Sequence, residues 1–136
     1  MKEETIVIGV IGSDCHTVGN RILEKYYSDA GFNVVNLGVM VSQDEFIDSA
    51  IETGARAILV SSLYGHGEID CMGFRDRCTE RGLEDIVLHV GGNLVVGKTD
   101  KAEVVEKFKQ MGFNRAYTPD ADLKACVDDL RADLKC

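Results

Sequence analysis

Proline is nearly absent. A single one, Pro119, stands in 136 residues, so no Pro-rich linker divides the chain. No apolar run approaches the roughly 18 residues of a membrane span. The five cysteines are Cys15, Cys71, Cys78, Cys126 and Cys136, and no two of them form a Cys-x-x-Cys pair. The odd number and the missing pair indicate neither a disulfide framework nor a zinc knuckle. Positive charge is also short. Fifteen Lys and Arg against 23 Asp and Glu leave a net charge of −8. That balance argues against a general binder of nucleic acid or of an anionic membrane, because both need a positive surface. Neither Gly-x-Gly-x-x-Gly nor a Walker A motif occurs. There is no internal repeat and no low-complexity segment. The N-terminus, MKEETIVIGVIG, puts acidic residues before its apolar run and offers no small-residue cleavage site. No signal peptide is therefore expected, and free thiols in such a chain point to a reducing cytoplasm.

What is present reads as one globular domain over residues 1–136, 45% hydrophobic and 28% charged. Short β-branched runs alternate with helical periodicity. Strands are expected at Thr5–Ile11, Asn33–Leu37, Ala57–Val60, Ile86–Val90 and Arg115–Tyr117. Helices are expected at about Thr17–Ala30, Gln43–Thr53, Glu68–Arg81, Asp100–Met111 and Asp122–Leu134. In the first helix Val18, Ile22, Leu23 and Tyr26 form the apolar stripe. Ser42 and Glu45 make a capping box for the second, which stops at Gly54. Alternating strands and helices imply a parallel sheet covered on both faces. At this length the flavodoxin-like order 2-1-3-4-5 is expected. The sheet then reverses direction between strands one and three, and the loops after them flank a crevice.

Three unusual loops meet there: Asp14-x-His16 after strand one, Ser61-Ser62-Leu63 after strand three, and Gly91-Gly92 after strand four. A histidine binds metal through one neutral ring nitrogen, and the other usually donates to a carboxylate that fixes the tautomer. Asp14 is near enough in the chain to serve His16 in this way. The plainer reading leaves His16 an exposed loop histidine and Asp14 a helix cap. One imidazole and one carboxylate are too few for a protein-built zinc site. They suffice for a prosthetic group that brings most of its own ligands, which favours a macrocycle. Haem would fit that count, but a polar, Gly-rich sheet edge is not an obvious haem pocket. Gly91-Gly92 is either a turn or a slot left by absent side chains. The Ser61 hydroxyl either caps a helix or hydrogen-bonds a ring nitrogen of a buried ligand. His66 and His89 read as bystanders. Cys15 has no nameable base beside it that would make it a reactive thiol. A response-regulator receiver would end strand three in Asp, where this chain has Ser61.

The pattern Asp14-x-His16-x-x-Gly19, 41 residues, Ser61-x-Leu63, 27 residues, Gly91-Gly92 resembles the cobalamin-binding domain family. Methionine synthase, methylmalonyl-CoA mutase and glutamate mutase carry it. Together the three parts are specific. VIGSDCHTVGNRIL, SSLYGHGEIDCMG and VGGNLVVGK extend the likeness across nearly the whole chain to the small cobalamin-binding subunits of glutamate (methylaspartate) mutases. The resemblance implies one cobalamin-binding domain over residues 1–136, with adenosylcobalamin as cofactor. It implies that His16 is the axial cobalt ligand, displacing the cofactor's own base, and that Asp14 orients it. Ser13, Cys15, Thr17 and Gly19 line the same loop. The freed nucleotide tail is expected to pass Ser61, Ser62, Leu63, Gly91 and Gly92, with Asn93, Leu94, Val95, Val96 and Gly97 alongside. The implied reaction is radical rearrangement of L-glutamate to L-threo-3-methylaspartate. No catalytic residue is expected on this chain alone. A large barrel subunit would bind glutamate, in a complex of two small and two large chains. The first alternative is a corrinoid carrier of a methyltransferase system. Such carriers usually have a helical domain ahead of the cobalamin domain, whereas strand one here begins at Thr5. The second is a sensory cobalamin module, which predicts an appended output domain.

Overall fold

The computed structural model describes residues 4–11, 18–62, 71–91, 101–117 and 122–134. Its strands are β1 (Thr5–Val10), β2 (Asn33–Asn36), β3 (Ala57–Ser61), β4 (Val87–Gly91) and β5 (Arg115–Tyr117). The helices described are α1 (Val18–Asp29), α2 (Gln43–Thr53), α3 (Phe74–Glu80), α4 (Lys101–Gln110) and α5 (Leu123–Leu134). All strand pairs are parallel and the order is β2-β1-β3-β4-β5, as the alternation of elements predicts. No described helix is long and apolar enough to cross a membrane.

Strand alternation splits the core in two. Val7, Ile11, Ile58, Val60, Leu88 and Val90 pack with Phe46, Phe74 and Phe108 of α2, α3 and α4. Ile6, Ile8, Ala57, Leu59 and Val87 face the other way, against Tyr27 of α1 and Cys126, Val127, Leu130 and Leu134 of α5. Ring contacts run through the first layer: Phe46 to Phe74 at 5.8 Å, Phe74 to Phe113 at 5.9 Å, and Phe113 to Phe108 at 6.1 Å. Gly9 admits this packing. A Cβ there would lie 3.0 Å from Phe46 Cε1 and 3.2 Å from Val41 Cγ2.

The local signals in α2 operate as the sequence predicts. Ser42 Oγ accepts from the Glu45 amide, Glu45 Oε1 accepts from the Ser42 amide, and Gly54 ends the helix at φ +67°. Two expectations need correction. The helix expected over Glu68–Arg81 is broken, because Gly73 turns left-handed at φ +77° and α3 starts afresh at Phe74. Residues Glu68 to Asp70 lie outside the described part. In α1 the buried stripe is Asn20 and Tyr27, with Leu23 and Tyr26 partly covered, while Ile22 is 53% exposed. Ile22 sits about 200° round the helix from Asn20, and Asn20 reaches toward β2.

Candidate functional site at the carboxyl edge of the sheet

The register brings three strand ends side by side. Val10 pairs with Ser61, Ser61 with Gly91, and Gly91 with Tyr117. The ladder continues one step beyond the strands. The Ile11 amide donates to Ser61 O at 3.0 Å, and the Ser62 amide donates to Gly91 O at 3.0 Å. The chain leaves the sheet toward each of the three motif segments from this one row. Ser13, Asp14, Cys15, His16 and Thr17 lie outside the described residues, as do Leu63, Gly92 and Asn93, Leu94, Val95, Val96 and Gly97. Gly19 is the second residue of α1. Of the expected site, the structure also describes Ser61, Ser62 and Gly91, and brings these three together.

Strand alternation separates the two serines. Ser61, 7% exposed, has the parity of Ala57 and Leu59 and so belongs to the α1/α5 side. Ser62 has the parity of Ile58 and Val60, on the other side. It is fully buried, and its Oγ has no hydrogen-bond partner among the described residues. No described residue demands glycine at position 91. Among the described residues a Cβ there would meet only Tyr117 Cβ at 3.6 Å and Tyr117 O at 3.8 Å, in ordinary contact. A nearly buried hydroxyl, an orphaned hydroxyl and a bare strand end fit a group that enters along this edge and seeks hydrogen bonds.

Two register rows below lies a polar cluster that the sequence does not announce. His89 pairs with Leu59 and Arg115 in the sheet and is 3% exposed. Its Nε2 is 2.8 Å from Asp133 Oδ2. Arg115 donates to both oxygens of Asp133, at 2.9 and 3.1 Å. Tyr117 donates to Asp129 Oδ2 at 2.8 Å, and its ring lies 5.7 Å from that of His89. Burial pushes the His89 imidazole below its ordinary range, outweighing its hydrogen bond to Asp133. Burial opposes ionisation of Asp133 too, but hydrogen bonds from Arg115 and His89 overcome it and hold the carboxyl low. Asp133 is thus the acceptor and neutral His89 donates from Nε2, a bond that ties β4 to α5. Its signal is the alternation of a histidine into an apolar strand, but the partner is 44 residues away.

Among the described residues, no group of three or more His, Cys, Asp or Glu could hold a metal ion. Cys71, Cys78 and Cys126 are buried and unbridged. Burial pushes the Cys78 and Cys126 thiols up to about 11, so both stay protonated at neutral pH.

Residues 4–111 match the B12 binding domain. A glutamate mutase sigma subunit of Escherichia coli O157:H7 is 66% identical over 124 residues, covering 91% of this chain and 83% of that protein. One of Clostridium tetani is 58% identical over 134 residues, covering 98% of each chain. Among solved structures, a cobalamin-binding protein of Desulfitobacterium hafniense superposes with a TM-score of 0.77 at 18% identity. That likeness covers 97% of this chain and 59% of the other, and at this identity it speaks for the fold alone. By sequence over nearly its whole length, the chain belongs to the B12-binding domain family and, within it, to the family of glutamate mutase sigma subunits.

Proposed function

We propose that this chain is the cobalamin-carrying subunit of a glutamate mutase, folded as one cobalamin-binding domain over residues 1–136. The row Val10–Ser61–Gly91 supports the reading, because Ser61 and Gly91 lie side by side with the end of the strand that precedes Asp14-x-His16 in the chain. His16 would hold the cobalt of a bound cobalamin through one neutral ring nitrogen. Asp14 accepts a hydrogen bond from the proton-bearing nitrogen of the same ring, which fixes the tautomer and strengthens the donor. Ser61 offers a hydroxyl on the α1/α5 side, and Gly91 leaves room beside it. Ser13, Cys15, Thr17, Gly19, Ser62, Leu63, Gly92 and Asn93 to Gly97 complete the lining.

When bound, adenosylcobalamin supplies the radical chemistry that interconverts L-glutamate and L-threo-3-methylaspartate. This chain holds and orients the cofactor. A large barrel subunit binds glutamate and closes the edge from water, in a complex of two small and two large chains in the cytoplasm. Electron paramagnetic resonance of the protein with cob(II)alamin, unlabelled and with nitrogen-15 histidine, tests the central residue. The expected nitrogen splitting turns from triplet to doublet on labelling and is lost in His16→Ala. A spectrum that ignores the label would end this reading.

A further inference from the structure

Asn20 is 4% exposed and lies in the first turn of α1, four residues after His16. Its Nδ2 donates to Asn36 Oδ1 at 2.8 Å, at the end of β2. The amide cannot be turned round. Asn36 Oδ1 also accepts the Gly38 amide at 2.9 Å, and Asn36 Nδ2 donates to Glu24 Oε1 at 3.1 Å. An oxygen therefore faces Asn20, and only an N–H can face it back. Asn20 Oδ1 is left a buried acceptor with no partner among the described residues.

Such an atom costs stability, and Asn36 would keep two partners without Asn20. The tie to Asn36 accounts for the amide nitrogen of Asn20 and leaves its buried oxygen without a reason among the described residues. The acceptor is uncharged, so a neutral donor matches it; a cation would have to shed its water for a single carbonyl. α1 packs on the same side of the sheet as Ser61 and Gly91.

We propose that Asn20 is a positioning residue whose Oδ1 accepts a hydrogen bond from a neutral N–H or O–H donor of the corrinoid. The donor is either a carboxamide on the ring or a hydroxyl of the nucleotide tail. This rests on the cobalamin reading above. The experiment titrates the chain, Asn20→Leu and Asn20→Ala with cob(II)alamin and with cob(II)inamide, which keeps the ring amides and lacks the nucleotide. Each protein's urea midpoint is measured alongside. The expected result is cob(II)alamin binding weakened about three- to tenfold in Asn20→Leu, with a midpoint that does not fall. An equal loss with cob(II)inamide assigns the donor to the ring; a loss with cob(II)alamin only assigns it to the tail. Unchanged affinity for both probes overturns the assignment while leaving the cobalamin reading standing. A midpoint that falls in both variants overturns it too, by marking Asn20 as structural. A wild-type chain that binds neither probe ends the cobalamin reading, and this assignment with it.

Discussion

The two sides of the sheet are built differently. The side under α2, α3 and α4 is filled by aliphatic residues and a run of phenylalanine rings, from Phe46 through Phe74 and Phe113 to Phe108. The side under α1 and α5 is apolar around Ile6, Tyr27 and Leu130, then turns polar toward the carboxyl edge with His89, Ser61 and Asn20. One side devotes its area to holding the fold. The other gives up part of that area to groups that need partners, two of whose atoms, Asn20 Oδ1 and His89 Nδ1, find none among the described residues. Buried orphan acceptors are a cost that packing alone would remove. The phenylalanine side is not free of such atoms, since Ser62 Oγ belongs to it at the same edge.

The largest expected effect falls on the phenylalanine side. Phe74 is fully buried and touches the rings of both Phe46 and Phe113. Phe74→Ala removes a ring whose neighbours are fixed by two helices and a turn, so the cavity cannot close easily. A loss of about 3–5 kcal/mol in urea unfolding is expected, with cob(II)alamin affinity unchanged wherever the variant is folded. A comparable loss of affinity in folded Phe74→Ala would break the division between the two sides.

Much of this arrangement is legible in the amino-acid sequence. Apolar runs and the helical period give all five strands and their order, and Ser42 with Glu45 gives the start of α2. These signals are local, and local geometry suffices to satisfy them. Most of what the sequence hides depends on partners far along the chain. Ile22 fits the apolar stripe of α1, yet neighbours cover Leu23 and Tyr27 more than it. Asn20 has the look of an ordinary helical polar residue, because the group that binds it, Asn36, lies sixteen positions on. His89 needs Asp133. The break at Gly73 is hidden for another reason, since a helical pattern tolerates glycine as readily as a left-handed turn uses it. At the candidate site the motif residues are legible as types and spacings. The separation of Ser61 from Ser62 becomes visible only with the register and the faces.

A smaller effect tests the polar side through pH. His89 is held neutral by burial, so its folded value lies below the ordinary 6.5. Below that value the unfolded chain takes up a proton that the folded chain resists, and stability falls. His89 therefore contributes fully above about 6.5, and its contribution drains as pH drops through that value. Asp133 acts in a separate window. Its folded value lies below 3.8, so its stabilisation holds above 3.8 and is lost only as pH falls through the lower folded value. Urea midpoints measured from about pH 7.5 to 5.5 should decline in the wild type and decline less in His89→Gln. Identical slopes would mean that His89 titrates alike in both states, and the polar side would then owe nothing to its burial.

The smallest expected change in stability is at Gly91, and it sharpens the comparison most. Its backbone is extended rather than left-handed, and a methyl group would meet Tyr117 only at 3.6 and 3.8 Å. Glycine inside a strand costs conformational entropy that alanine does not. Gly91→Ala should therefore leave stability unchanged or raise it by up to about 1 kcal/mol. Yet the new methyl group would project from the row shared with Ser61, into room that no described residue fills. If that room serves the ligand, cob(II)alamin binding weakens while the urea midpoint holds or rises. Phe74→Ala and Gly91→Ala would then form a mirrored pair, one costing stability without affinity and the other affinity without stability. If Gly91→Ala loses stability instead, the bare strand end belongs to the fold, and the carboxyl edge loses its claim to be shaped for a ligand at that position.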